Sequence, residues 1–185
     1  MTDTDHTAAA LSQPAVATTR TPITEPTLRF MLGHPARVIA LGAGVGLARH
    51  APGTAGTLWA WASFMLLQPF MGDVGWALLI GVGTLAGWWA CTVTAQHMGI
   101  TDPGHIVWDE ILAFWVVLWL VTPAGFWTQL AAFVLFRLFD SIKIGPMAWA
   151  DRSFKAFGPR GGFGILLDDL VAALCTLLVV AIWKY

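Results

Sequence analysis

The sequence predicts an all-α integral membrane protein, a bundle of apolar helices whose polar loops face the cytosol. Three observations lead there. Hydrophobic residues make up 57% of the 185-residue chain and charged ones only 11%, against about 25% charged in a typical soluble domain. Mean hydropathy is +0.68. Apolar runs alternate with short polar segments, and none shows the period-two alternation of a strand. The ionisable groups beyond Arg37 are almost all confined to three of those polar segments.

Residues 1–27, MTDTDHTAAALSQPAVATTRTPITEPT, are rich in Thr, Ala and Pro and hold no apolar core. They lack the basic start and continuous apolar stretch of a signal peptide and read as a disordered cytosolic tail. Residues 28–185 form the membrane-embedded domain. Within it, RVIALGAGVGLA (37–48) is Gly-rich and of moderate length, and TLWAWASFMLLQPFM (57–71) is apolar throughout. VGWALLIGVGTLAGWWACTVTA (74–95) carries no charge and is long enough for a bilayer, which takes about 20 residues. ILAFWVVLWLV (111–121) and FWTQLAAFVLF (126–136) flank a Thr-Pro-Ala-Gly turn, and LVAALCTLLVVAIWKY (170–185) follows. Several runs are short, so the number of crossings stays open. Cys91 and Cys175 lie inside apolar runs, outside any disulfide or zinc spacing, and read as core thiols.

If each run crosses once, RHAPGTAG (49–56), QHMGITDPGHIVWDE (96–110) and residues 137–169 share one side, and MGD (71–73) and TPAG (122–125) the other. The shared side holds Arg49, Arg137, Lys143, Arg152, Lys155 and Arg160, so the positive-inside bias makes it cytosolic. The formal net charge of −1 argues against a nucleic-acid partner, which calls for a basic surface.

The same side gathers Asp102, Asp109, Glu110, Asp140, Asp151, Asp168 and Asp169. Asp109-Glu110 and Asp168-Asp169 each open an apolar run, where the helix macrodipole favours negative charge and Asp is a common cap. That role suffices for a single acid. Two adjacent pairs plus Asp140 are harder to explain so, because clustered carboxylates at a membrane are costly unless a hard cation such as Mg²⁺ neutralises them. FRLFDSIKIGPMAWADRS (136–153) spaces Arg137, Asp140 and Lys143 three apart on one helical face. APGTAGT (51–57) offers small residues and the hydroxyls of Thr54 and Thr57 to an anion, or serves as a membrane-entry turn. GPRGGFGI (158–165) reads equally as a phosphate-facing loop and as a connector. His50 and His105 read as surface or hydrogen-bonding residues.

Taken in order, PGTAGT (52–57), IVWDE (106–110), FRLFDSIK (136–143) and GGFGILLDD (161–169) resemble the signature blocks of the phosphatidylglycerophosphatase A family, over roughly residues 35–183. The resemblance implies an all-helical phosphatase of the bacterial inner membrane, multi-pass and Mg²⁺-dependent. Such an enzyme converts the lipid phosphatidylglycerophosphate into phosphatidylglycerol. The match falls on Pro52, Gly53, Thr54, Gly56, Gly162 and Gly164, expected to bind substrate. It falls on Asp109, Glu110, Asp168 and Asp169, expected to hold the metal, on Arg137, Asp140 and Lys143, expected to be catalytic, and on Asp151. The chain departs from the family pattern at Lys143-Ile144-Gly145-Pro146, where one proline is missing, and at Ala113 and Ala173, which stand for glycines.

The chemistry agrees with that expectation. A phosphomonoester repels a nucleophile through its own oxygens, so hydrolysis needs positive charge on them and a positioned water. Carboxylates can hold Mg²⁺ for that purpose. Arg137 and Lys143 would share the phosphate charge, with Asp140 as ligand or base. The alternative is a non-catalytic membrane protein or a transporter with acidic boundary loops, although a transporter more often places its charges within the spans. The Asp-Gly-x-x-Ala-Arg block of alcohol phosphotransferases and the Pro-Ser-Gly-His block of histidine lipid phosphatases do not occur, and no Asp-x-Asp pair lies in the motif segments.

Overall fold

In a computed structural model, residues 21–142 and 156–184 are described. Among them every regular element is helical. Two short helices lead in. Thr27 caps α1 (Leu28–Leu32) by accepting the Phe30 N–H, and His34 caps α2 (Pro35–Ala40) by accepting the Ala36 N–H at its Nδ1. Ahead of them the Ile23 N–H donates to the Met98 carbonyl at 2.8 Å, and Glu25 lies 3.8 Å from His105.

The run 37–48, expected as one apolar segment, is broken. Gly42, Ala43 and Gly44 have φ of 55°, 53° and 111°, a left-handed bend that glycine adopts freely and that no α-helix continues through. The bend lets Gly42 close on the stretch 107–111, where a Cβ would meet Ile111 and Val107 at 2.9 Å. The run is therefore the end of α2 followed by a kinked 3₁₀ stretch, Gly42–Leu47, and no single helix runs through it.

Five longer helices follow: α3 (Pro52–Leu67), α4 (Asp73–Met98), α5 (Trp108–Val121), α6 (Phe126–Ile142) and α7 (Pro159–Lys184). The others surround α5, whose Ile111, Leu112, Ala113, Phe114, Val117 and Leu118 are wholly buried. It is hydrophobic all round, the pattern of a helix enclosed by neighbours. The outer faces are apolar too. Leu66, Leu78, Val82, Leu85, Leu178 and Ile182 are exposed, more apolar surface than water tolerates. Two helices, α4 and α7, are long and apolar enough to cross a membrane, and the protein is membrane-associated.

Tryptophan stitches the helices together. Trp61 Nε1 donates to Gln129 on α6 at 2.7 Å, Trp115 Nε1 to the Ala60 carbonyl on α3 at 3.1 Å, and Trp108 Nε1 to the Gly83 carbonyl on α4 at 2.9 Å. Such bonds satisfy N–H groups that an apolar surrounding would leave costly. Gly87 makes the last of them possible, because a Cβ there would run into the Trp108 ring. We expect Gly87→Ala to lower stability by about 1–3 kcal/mol through overpacking. Thermal unfolding in detergent checks this, and an unchanged midpoint would show that Trp108 moves aside freely.

The helix ends sort by polarity. The start of α3, the end of α4, the starts of α5 and α7 and the end of α6 meet at one end of the bundle: Gly53 touches Glu110 and Arg137, and Trp88 Nε1 donates to the Pro159 carbonyl at 2.6 Å. At the other end Trp76 Nε1 donates to Gln68 and Trp119 Nε1 to Asp73.

Candidate active site

The first turn of α5 sets the site. Val107 gives it no side-chain cap, and the anchored Trp108 ring fixes its rotation. Asp109 and Glu110 therefore point inward, each 9% exposed. Opposite them, α7 contributes Asp168 and Asp169, 8% and 3% exposed. These two were expected to open a helix. Instead α7 begins at Pro159, so both acids lie in its third turn and cap nothing.

The reason is packing. The Gly-rich stretch 158–165, expected as a loop, is helical from Pro159 because Gly162 lies directly against α4. A Cβ there would strike Thr92 Oγ1 and come within 2.8 Å of the Thr92 backbone nitrogen. Close approach of two helices favours small residues at the contact and overrides the poor helix propensity of glycine.

One carboxylate oxygen from each of Asp109, Glu110 and Asp169 lies within 4.8 Å of the other two. Asp109 Oδ1, Glu110 Oε2 and Asp169 Oδ2 are buried with no hydrogen-bond partner. Buried polar atoms are rarely left so, and like charges this close penalise one another as well as suffering from burial. A compact set of hard oxygen donors with orphaned lone pairs fits a small divalent cation such as Mg²⁺.

These acids border a cleft of about 170 Å³. Six carboxylates line it, those of Asp102, Asp109, Glu110, Asp140, Asp168 and Asp169, together with Thr101, Pro103, Gly104, Ile106, Gly161, Gly164 and Ile165. Among the described residues no basic side chain lines it.

Arg137 stands beside this cleft without lining it. Its Nη1 is 2.8 Å from Asp140 Oδ2, one turn along α6, and 3.8 Å from Glu110 Oε1. The same nitrogen donates to Thr57 Oγ1 at 3.4 Å.

The expected site residues thus separate into groups. Asp109, Glu110, Asp140, Asp168, Asp169 and Gly164 share the cleft. Gly162 packs on α4, Gly53 on Glu110 and Arg137, and Gly56 on Val107. Pro52, Gly53, Thr54 and Gly56 form the opening turns of α3. APGTAGT is therefore a helix start with Pro52 in the first position, which proline favours. Lys143 and Asp151 lie outside the described residues. The wall Thr101–Ile106 was missed as a unit. Its sequence signals only a polar turn, and nothing local reveals that the turn folds over acids on three helices.

Known proteins match this chain along most of its length. The family model described as Phosphatidylglycerophosphatase A matches residues 38–184. The chain is 37% identical over 147 residues to the Escherichia coli K12 protein named phosphatidylglycerophosphatase A, covering 79% of this chain and 81% of that one. It is 34% identical over 160 residues to the Haemophilus influenzae protein of the same name, covering 86% and 95%. A Bacteroides thetaiotaomicron protein with the provisional name of a phosphatidylinositol-3-phosphatase is 35% identical over 156 residues, covering 80% and 92%. No solved structure is a significant match. With a family match spanning both the α5 acids and the α7 acids, the chain belongs to the phosphatidylglycerophosphatase A family and is a phosphatase.

Proposed function

We propose that the protein hydrolyses the terminal phosphomonoester of phosphatidylglycerophosphate, giving phosphatidylglycerol and inorganic phosphate, with Mg²⁺ as cofactor. One observation supports this above the rest. Among the described residues the cleft bears six carboxylates and no basic side chain, so a cation bound there would offset the charge that a phosphate dianion brings. Asp109, Glu110 and Asp169 would hold Mg²⁺, with Asp168 beside them. The bound ion would screen the phosphoryl oxygens and lower the pKa of water. Asp140, in the same cleft but on another helix, would take the proton of the attacking water. The loop Thr101–Ile106 would cover the bound headgroup and limit access of bulk water.

The acidic end of the bundle would face the cytosol of a bacterial cell, because Arg49, Arg137 and Arg160 lie at the same end. The bundle would cross the inner membrane several times, with the lipid substrate reaching the cleft from the surrounding leaflet.

Purified protein in mixed micelles, assayed for phosphate release, tests the reading. Release from phosphatidylglycerophosphate should require Mg²⁺ and stop on chelation. Preferred release from phosphatidylinositol 3-phosphate would move the substrate towards the name carried by the Bacteroides relative. No release from either lipid, or from phosphatidate, would favour the non-catalytic alternative.

A further inference from the structure

We propose that Arg137 is a positioning residue, held by Gly53 and Thr57 of α3, that aims Glu110 and Asp140 and does not bind the substrate phosphate. The proposal rests on the phosphatase reading above and reassigns three residues within it. A phosphate-binding arginine should present its guanidinium to the cleft. Arg137 does not line it, and its side chain is only 19% exposed. Its Nη1 is turned sideways, paired with Asp140 on its own helix at 2.8 Å and facing Glu110 on α5 at 3.8 Å. Guanidinium suits that use, because its rigid plane fixes the direction of each N–H and its charge persists beside two carboxylates.

The seat for this fork is the first turn of α3. A Cβ on Gly53 would run into Glu110 Oε1 and lie 3.2 Å from both terminal nitrogens of Arg137. Only a residue without a side chain lets the α3 backbone close over the pair. Thr57 completes the seat. Its hydroxyl donates to the Gly53 carbonyl at 2.9 Å, which leaves its lone pairs to accept from Arg137. Gly53 and Thr57 are thereby linked to each other and to the guanidinium, and α3, α5 and α6 meet at one charged group. The small residues of PGTAGT serve this seat, and their effect on the reaction passes through Glu110.

The two roles of Arg137 differ in what fails. Loss of a phosphate ligand weakens lipid binding. Loss of a positioning group misplaces the carboxylates, and removing such a supporting partner typically costs about 10–100-fold in metal affinity or activity. The test measures kcat, the lipid KM and, without lipid, Mn²⁺ binding by electron paramagnetic resonance. It compares Arg137→Gln, Arg137→Lys, Gly53→Ala and Thr57→Val in the full chain. Arg137→Gln and Gly53→Ala should each lower kcat and Mn²⁺ affinity by about 10–100-fold, with KM changed less than about 3-fold. Arg137→Lys should recover part of both. Thr57→Val keeps the side-chain shape and should move both in the same direction by less. Should Gly53→Ala not fold, Thr57→Val carries the test. Unchanged Mn²⁺ affinity in Arg137→Gln and Thr57→Val, or a KM increase in Arg137→Gln with kcat intact, would overturn the proposal. A wild-type protein that binds Mn²⁺ but releases no phosphate from any lipid would remove the phosphatase reading, while the Mn²⁺ measurements would still decide the role of Arg137.

Discussion

Asp169→Asn should yield a protein that folds and inserts but turns over at least about 10²–10³-fold more slowly, the cost typical of removing one group that stabilises charge in a transition state. The substitution is nearly isosteric. Asp169 lies in the third turn of α7, so no helix cap is lost. It is 3% exposed with an unpartnered Oδ2, so exchanging carboxylate for amide relieves repulsion within the cluster while removing a hard ligand. Stability should therefore hold or rise while activity collapses. Glu110→Gln should behave likewise, with part of its activity regained at raised Mg²⁺. Phosphate release and thermal unfolding, measured on the same preparations, separate the two effects. Near wild-type rates for both variants at ordinary Mg²⁺ would remove these carboxylates from the chemistry.

Gly162→Ala should be damaging in the opposite way, lowering stability first and activity in consequence. The added methyl would meet not only Thr92 Oγ1 but also the Thr92 backbone nitrogen and Cα, at 2.8 and 2.9 Å. Backbone cannot rotate out of the way, so α7 must shift from α4, strain worth about 1–3 kcal/mol or more. That shift moves Asp168 and Asp169 two turns further along, and misplacement of about 1 Å at a reacting centre can cost 10²-fold in rate. Thermal unfolding together with kcat is the measurement. A normal unfolding midpoint with a raised lipid KM would return Gly162 to the substrate-binding role that its motif suggested.

The acids of the site were legible in the sequence because charge is rare in this chain and its position carries information. The alternation of rich and poor polar segments already brought Asp109, Glu110, Asp140, Asp168 and Asp169 to one end. What glycine does was much less legible. In stretches 52–57 and 158–165 it marks close helix contacts, where local preference points to a loop. Only the neighbour, Glu110 in one case and Thr92 in the other, explains the helix. In the stretch 42–44 the same residue type breaks the chain, as positive φ shows. Pro52 stands at the first helical position, a helix-start signal that the turn reading of 51–57 passed over. The contact of Arg137 with Thr57, 80 positions away, had no local signal at all.

Helix length sets one more condition on the molecule. At 1.5 Å per residue, the 16 residues of α3 and 17 of α6 span about 24 and 26 Å, whereas a bilayer's hydrocarbon layer is about 30 Å thick. The 26 residues of α4 and of α7 exceed it at about 39 Å. If the bundle crosses the membrane several times, as proposed, one flank would be too short for its surroundings and the other too long, a mismatch that helix tilt and a locally thinned bilayer would meet. The leaflet beside α3 and α6, the helices that hold Gly53, Arg137 and Asp140, would then be drawn in towards the cleft. Membrane thickness, a property of the lipids and not of any residue, would thereby help to decide how easily a headgroup reaches the acids.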